Sequence, residues 1–158
     1  MKNILKLSLA AMAIAALAAC GGGDSSEAAD VYVGNWKSRC YQGTGNDGNT
    51  YYYFNNLTVT KLTAAEITFT GTGTAYSDAS CTSKLSTFNR DAIKINIGAK
   101  TTYLGASVDT IVHTVIATGE ARPGYMVADA TKMNIAIAGS TGALPTGAWG
   151  SASPYTKQ

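Results

Sequence analysis

Residues 65–76 show the clearest alternation of apolar and polar positions in the chain. The small and apolar side is made of Ile67, Phe69, Gly71, Gly73 and Ala75. Threonines fill most of the positions between them, which a solvent-facing sheet surface tolerates. A period of two residues is typical of a β-strand with one covered face, so this segment is predicted to be a strand.

Less regular versions of the same pattern predict strands along the rest of the chain. The predicted strands cover residues 31–41, 51–62, one or two segments within 83–97, 108–118, and a final hairpin of 125–128 with 132–138. The polar connection between the first two contains Asp47-Gly48, a strong turn signal. A slip in the alternation near Asn55-Asn56 suggests a bulge, and residues 119–124 are predicted to form a tight connection.

These short strands, joined mainly by short turns, predict an all-β fold in a single domain over residues 31–158. Two architectures remain open. One is an antiparallel meander of about eight strands closed into a small barrel, and the other is a two-sheet β-sandwich. From about residue 139 the chain is rich in Gly, Ser and Thr, and it is predicted to be a coil that Trp149 and Tyr155 hold against the domain.

The first 19 residues have the parts of a cleavable secretory signal. Lys2 and Lys6 give a positive start, an apolar run follows, and small residues precede Cys20. About a dozen apolar residues after Lys6 are too few for a stable membrane span, which needs roughly 20. At its end, Leu17-Ala18-Ala19-Cys20 resembles the lipobox of bacterial lipoproteins at every position.

This resemblance implies cleavage before Cys20, attachment of a diacylglyceryl group to its thiol, and acylation of its new amine. Stable anchoring needs two or more chains, at ~0.8 kcal/mol per buried CH2, so three chains would hold the protein in a membrane. Residues 21–30, polar and Gly-rich, would follow as a flexible tether. Gly21 is not the aspartate that favours inner-membrane retention in enterobacterial lipoproteins, so the analogy implies the outer membrane. An ordinary signal with an incidental Cys20 is the alternative.

With Cys20 assigned to lipid, Cys40 and Cys81 remain as a pair in an oxidising compartment. We predict that they form a disulfide. Free thiols and metal ligands are the alternatives. Metal coordination is disfavoured because the chain has one histidine and no Cys-x-x-Cys motif, so no metal site is predicted.

The charge balance gives no sign of a nucleic-acid surface. The chain has twelve basic and ten acidic residues, and removal of Lys2 and Lys6 would leave the two kinds equal. Nucleic-acid binding needs clustered Lys and Arg, and no such block occurs. The only histidine, His113, has no evident nucleophile beside it, and the carboxylates are scattered. We therefore predict no enzyme activity and no cofactor.

Gly34-Asn35-Trp36 opens the first predicted strand of this all-β domain. Here the chain resembles the lipocalin and wider calycin group, whose first strand carries Gly-x-Trp. The resemblance implies an up-and-down barrel in which Trp36 closes one end, with Gly34 allowing the backbone to bend. Two features of the group are missing: Thr-Asp-Tyr on a later strand, and a last-strand arginine stacked on Trp36, because Arg122 lies beside Pro123 in a predicted turn.

Two functions follow as hypotheses. The first is an outer-membrane-anchored, lipocalin-like barrel that binds a small apolar ligand or lipid without catalysis. The second is a cell-envelope module, adhesin-like or inhibitor-like, that binds another protein. The aromatic run from Tyr51 to Phe54 suits either a ligand mouth or a partner surface, and it also suits a strand that alternates between the core and a half-buried outer face.

Overall fold

Residues 27–158 are described by the structure, which is a computed structural model. The predicted signal peptide, Cys20 and most of the predicted tether lie outside the described residues. In the described part of the chain, no helix is long and apolar enough to cross a membrane.

Strands make up most of the described chain, as the alternating pattern predicts. They are β1 (Gly34–Ser38), β2 (Tyr41–Thr44), β3 (Thr50–Thr63), β4 (Glu66–Tyr76), β5 (Lys84–Asn89), β6 (Ile93–Tyr103), β7 (Ala106–Val115), β8 (Ala121–Ala128), β9 (Lys132–Ile137) and β10 (Tyr155–Lys157). A short 3-10 helix, Asp30–Tyr32, precedes β1.

Eight of these strands form a closed ring. Going around it, the order is β1, β3, β4, β6, β7, β8, β9 and β10, and each neighbouring pair is antiparallel. The ring closes where β10 pairs with β1, with Trp36 opposite Lys157. The structure thus confirms the small calycin-like barrel and not the two-sheet sandwich.

The two remaining strands extend the barrel wall on one side. β3 has 14 residues, so its first part reaches beyond the ring and pairs with β2. The last part of β4 reaches beyond the ring in the same way and pairs with β5. We call this four-stranded extension, made of β2, residues 50–55, residues 72–76 and β5, the upper wall. The end of the barrel beneath it is the mouth, and the opposite end is the base.

A disulfide joins Cys40, between β1 and β2, to Cys81, between β4 and β5. The predicted pairing is therefore confirmed. The bond links the two loops that lead into the outer strands of the upper wall. It holds the two edges of that extension to each other.

The barrel interior is filled by the protein's own side chains. The main buried cluster draws on the 3-10 helix and on all eight strands of the ring: Tyr32, Trp36, Leu57, Val59, Ile67, Phe69, Ile95, Ile97, Ile111, Met126, Met133 and Tyr155. Met133, Ile135 and Ile137 all pack into this cluster, as the alternation of the final hairpin predicts. At the base, the 3-10 helix covers the opening, and Ala29 and Tyr32 are fully buried.

The ends of the domain differ from the prediction. The tether was predicted to reach Asp30, but Ala29 is buried and the 3-10 helix begins at Asp30, so the folded part starts earlier. The coil predicted from residue 139 ends at β10, a short strand whose Tyr155 lies in the core. A three-residue strand is too short to show a period of two, which is why the sequence does not reveal it.

Three local predictions were wrong. Residues 119–124 are not all connection, because β8 begins at Ala121 and includes Pro123. The carbonyl of Pro123 accepts a hydrogen bond from Ala138, one residue past the end of β9. The nitrogen of Pro123 faces the same side, beyond the paired part of β9, so its missing N–H removes little from the ladder. The bulge expected near residues 55–56 is absent, and the register shift of β3 against β4 falls between Lys61 and Thr63. Residues 42–50, predicted to be a polar connection, instead contain most of β2.

Candidate ligand-binding groove

A groove of about 750 Å³ lies on the inner face of the upper wall, above the mouth of the barrel. Its main side chains are Tyr41, Tyr51, Tyr53, Leu85, Phe88 and Arg90. Leu85 and Phe88 are 53% and 40% exposed, which is unusual for large apolar residues that face the concave side of a sheet. The groove is therefore an open, largely aromatic surface.

The strand alternation places these aromatic rings on one face. Tyr51 and Tyr53 share the inward side of β3 with Asn55 and Leu57, so Tyr52 and Phe54 point to the outer face. Phe54 packs there against Tyr76 and beneath the ammonium of Lys37. The run of four aromatic residues is thus divided between the groove and the outer face.

Glycines opposite these rings give them room to lie against the wall. Gly43 pairs with Tyr51, and a Cβ on Gly43 would lie 2.9 Å from the ring of Tyr53. Gly73 pairs with Phe88, whose ring occupies the space that a Cβ on Gly73 would take. Gly73 of β4 therefore serves the groove as well as the barrel, because the ring of Phe88 from β5 lies over it.

Tyr53 is the centre of the aromatic lining. Its ring centroid lies 5.7 Å from that of Tyr41, 6.5 Å from that of Tyr51 and 6.3 Å from that of Phe88. Two of these contacts are edge-on, an arrangement that aromatic pairs favour. The rings therefore support one another while leaving apolar faces open to the groove.

Tyr41 and Arg90 form a polar floor to the groove and rest on Asn55, which is 2% exposed beneath them. Its side-chain amide donates to the hydroxyl of Tyr41 at 2.9 Å, and its side-chain oxygen accepts from Nη1 of Arg90 at 2.9 Å. Its backbone N–H donates to the hydroxyl of Ser38 at 2.8 Å. These bonds satisfy a buried polar residue and fix the guanidinium of Arg90 at the junction of groove and barrel.

Two further basic groups line the mouth near Arg90. His113 and Arg122 are direct partners across β7 and β8, on the same inward face as Ile111 and Gly124. Nδ1 of His113 is buried and has no hydrogen-bond partner within residues 27–158. Burial lowers the pKa of His113 below its usual 6.5, and the nearby positive charges of Arg122 and Arg90 lower it further.

The predicted Gly-x-Trp motif lies at the base, away from the groove. Trp36 is 1% exposed, and its indole N–H donates to the carbonyl of Tyr32 at 2.7 Å. The hydroxyl of Tyr32 donates to Asp109 at 2.5 Å, and Lys100 contacts the same carboxylate at 2.8 Å. This buried network locks the 3-10 helix under the barrel, so the base is closed and the mouth is the open end.

Of the residues singled out from sequence, Cys40 and Cys81 lie beside the upper wall, Gly34 and Trp36 lie at the base, and Cys20 lies outside the described residues. Arg90 and Phe88 were not among the residues predicted from sequence to form a site. Phe88 lies in an entirely exposed strand that shows no alternation in burial. Arg90 lies in the connection after it, where sequence does not indicate the direction of a side chain.

No three His, Cys, Asp or Glu side chains in the described part of the chain are arranged to hold a metal ion. Asp109 and His113 share a strand, but Asp109 is bound at the base whereas His113 lies towards the mouth. The groove therefore offers aromatic faces, one half-buried guanidinium and hydrogen-bonding groups, which is a set suited to binding.

Comparisons with protein-family models, with curated proteins and with solved structures found no match for this chain.

Proposed function

We propose that this protein is a lipid-anchored component of the bacterial cell envelope, held in the outer membrane, whose lipocalin-like barrel binds a small apolar ligand without catalysis. The ligand sits in the groove at the mouth, against the upper wall. The barrel interior is occupied by the buried cluster around Trp36 and Phe69, and an eight-stranded barrel has room for its own side chains or for one small ligand.

The groove of about 750 Å³ is the observation that carries this proposal. Sites for small ligands are concave and mostly apolar, with a few placed polar groups, and their volumes run from about 300 to 1,000 Å³. The rings around Tyr53 supply the apolar surface, and Arg90 with Tyr41 supplies the polar groups. A small ligand with a flat apolar body matches this arrangement.

A fluorescence titration tests the ligand. The purified full-length protein is titrated with N-phenyl-1-naphthylamine, an uncharged dye that brightens in apolar surroundings. We expect saturable binding at one site. Tyr53→Ala should weaken it roughly five- to tenfold, because the ring at the centre of the lining is lost. Tyr52→Ala is the matched control, since the same residue type is removed from the opposite face of the strand.

The outcomes are distinct. No saturable rise with the wild-type protein would overturn the proposal. Equal weakening by Tyr53→Ala and Tyr52→Ala would place the dye somewhere other than the groove. Native mass spectrometry of the protein from its own membranes would then identify a retained ligand as added mass.

The anchor has its own test. The signal and lipobox in residues 1–20 support attachment through Cys20. Mass spectrometry of the membrane-purified protein should give a chain that starts at Cys20 and carries the mass of its acyl chains. Cys20→Ser should release the protein from the membrane fraction. A Cys20→Ser protein that still fractionates with membranes would contradict the lipid anchor.

The alternative function, binding to another envelope protein, is favoured by one observation. All six residues of β5 are exposed, and in the described chain β5 pairs with a strand on only one side. An open strand edge can accept an extended peptide. A pull-down that recovers one stoichiometric protein, and loses it when Ser86 on β5 is changed to proline, would favour this alternative.

A further inference from the structure

We propose that the ligand of the groove carries an anionic group, which Arg90 binds at the groove floor, with His113 adding a hydrogen-bonding atom behind it. This inference rests on the proposed ligand-binding function and adds the chemical class of the ligand: an apolar, ring-like body with one carboxylate, phosphate or sulfonate.

Arg90 is poorly compensated for a half-buried cation. A guanidinium has five N–H donors, and its side chain makes one hydrogen bond within residues 27–158, to the neutral amide of Asn55. None of the carboxylates in that range forms an ion pair with it. Charges removed from water are normally paired, so an anion from outside the chain would complete this site.

Of the two groups behind Arg90, only His113 supports the same conclusion. Arg122 is already paired with Glu120 and contributes little net charge. His113 presents a buried Nδ1 with no partner in the described chain, although polar atoms so buried are nearly always hydrogen-bonded. A protonated imidazole would supply an N–H donor there. An anion close by would favour that protonated form.

The groove is also polarised along its length. Asp47 lies at its outer rim, where the carboxylate accepts the hydroxyl of Tyr51 at 2.6 Å. Arg90 lies at the opposite, inner end beside Asn55. A ligand with one negative group is therefore attracted inward and repelled from the rim. Its apolar body would lie between them, over the rings of Tyr53 and Phe88.

A matched pair of dyes tests this inference. N-phenyl-1-naphthylamine is uncharged, and 8-anilino-1-naphthalenesulfonate has the same ring system with one sulfonate. We expect both to bind the wild-type protein. Arg90→Met should weaken the sulfonate about tenfold or more, because a charge-assisted hydrogen bond is lost, and should change the uncharged dye by less than about twofold. Arg39→Met is the control, since Arg39 is exposed and lies outside the groove.

The results separate this inference from the proposed function. If neither dye binds, the proposed ligand binding fails and the anion site fails with it. If the uncharged dye binds but the sulfonate does not, or if Arg90→Met affects both dyes equally, the anion site alone is overturned. If Arg90→Met does not fold, the salt dependence of binding to the wild-type protein tests the inference instead. Raising sodium chloride from 50 to 500 mM should weaken binding of the sulfonate dye and leave binding of the uncharged dye unchanged.

The anionic group could belong to an envelope lipid or to a soluble aromatic acid. Competition against the bound sulfonate dye separates these sources. Displacement by short-chain phosphatidic acid would assign the site to a lipid phosphate, and displacement by 2-naphthoate alone would assign it to a soluble acid. Displacement by neither compound would overturn the inference.

Discussion

The ammonium of Lys157 lies 5.1 Å from the centroid of the Trp36 ring, and the two residues are direct partners across β1 and β10. The last strand of the barrel thus places a cation over the buried tryptophan of the first. The calycin resemblance implies an arginine in this role, but the sequence has no arginine on the predicted last strand. A lysine supplies the charge, and it does so at the seam where the barrel closes.

Replacing Lys157 tests how much this contact contributes to stability. Lys157→Met keeps most of the aliphatic side chain and removes the charge. We expect the free energy of unfolding to fall by about 0.5–2 kcal/mol, the range for a cation–π contact from exposed to desolvated surroundings. Urea denaturation followed by circular dichroism measures it. Lys132→Met, which removes an exposed lysine of β9, is the control. An equal loss in both variants would contradict a specific role.

Gly34 is required here for its backbone conformation and for the space that it leaves. Its φ is +133°, and a Cβ would lie 2.8 Å from Cε of Lys157. We expect Gly34→Ala to destabilise the protein by about 1–3 kcal/mol, mainly through backbone strain. Because the end of a lysine side chain can move, most of that loss should persist when Lys157→Ala is combined with it. If Gly34→Ala costs no stability relative to Lys157→Ala alone, crowding is the cause instead.

How far sequence predicts this fold depends on the length of each strand. β4 was predicted almost to the residue, because eleven residues alternate without interruption. β10 was missed, because three residues cannot show a period. The bulge predicted near Asn55 was wrong for another reason, which concerns polarity and not strand length. A polar residue faces inward there, held by Ser38, Tyr41 and Arg90, so the alternation of polarity breaks while the alternation of direction does not.

Tyr32 should make the protein sensitive to alkaline pH. Burial, and then its hydrogen bond to the carboxylate of Asp109, raise the pKa of Tyr32 well above its ordinary 10.0. The unfolded chain therefore loses this proton first as the pH rises. The stability linked to Tyr32 is complete below pH 10 and is lost from there upward towards its folded pKa, at no more than about 1.4 kcal/mol per pH unit.

Unfolding at pH 8 to 11.5 measures this effect. Tyr32→Phe should lose about 1–3 kcal/mol at pH 8, because the buried Asp109 loses a hydrogen bond, and its stability should decline less steeply above pH 10. Tyr52→Phe, on the outer face of β3, should follow the wild-type curve. Identical slopes for the wild type and Tyr32→Phe would contradict the linkage.

The disulfide should stabilise the upper wall as well as the whole domain. Its cysteines are 41 residues apart, and closing such a loop contributes up to ~4 kcal/mol by the chain-entropy model. We expect Cys40→Ala with Cys81→Ala to lower the free energy of unfolding by about 2–4 kcal/mol and to speed amide exchange in β2 and β5 more than in β7. A reducing agent should destabilise the wild type alone. Uniform exchange along the chain would contradict a local role for the bond.

The site was less predictable than the fold, because it depends on direction and proximity. Sequence identified the aromatic run at Tyr51 but could not say which rings share a face with Phe88, a residue 35 positions beyond Tyr53. The sequence shows no evident nucleophile beside His113, and nothing in its neighbours along the chain indicates that its Nδ1 is buried near two arginines. Those relationships exist only once β5, β7 and β8 have taken their places around the mouth.

The connection between β9 and β10 is held down by a second aromatic cluster on the outside of the barrel. The ring of Trp149 lies edge-on to Tyr103, with centroids 5.1 Å apart, and Tyr103 stacks on Tyr125 at 4.5 Å. The hydroxyl of Tyr103 also donates to the carbonyl of Ala148 at 3.1 Å. Trp149 therefore helps to fasten residues 139–153, a segment with little regular structure of its own, to the wall. Hydrogen bonds of Gly150 and Ser153 to Ile135 also hold its end.

We expect Trp149→Ala to free this segment while leaving the barrel folded. Limited proteolysis should cut the variant within residues 139–153 at least about tenfold faster, since cleavage follows the population of locally opened chain. β10 closes the ring, so a cut chain should also unfold at lower urea than an intact one. Leu144→Ala, which removes an exposed side chain from the same segment, is the control. If both variants are cut at the wild-type rate, the aromatic contact does not hold the segment, and its hydrogen bonds to Ile135 and Arg39, with the pairing of β10, do so instead.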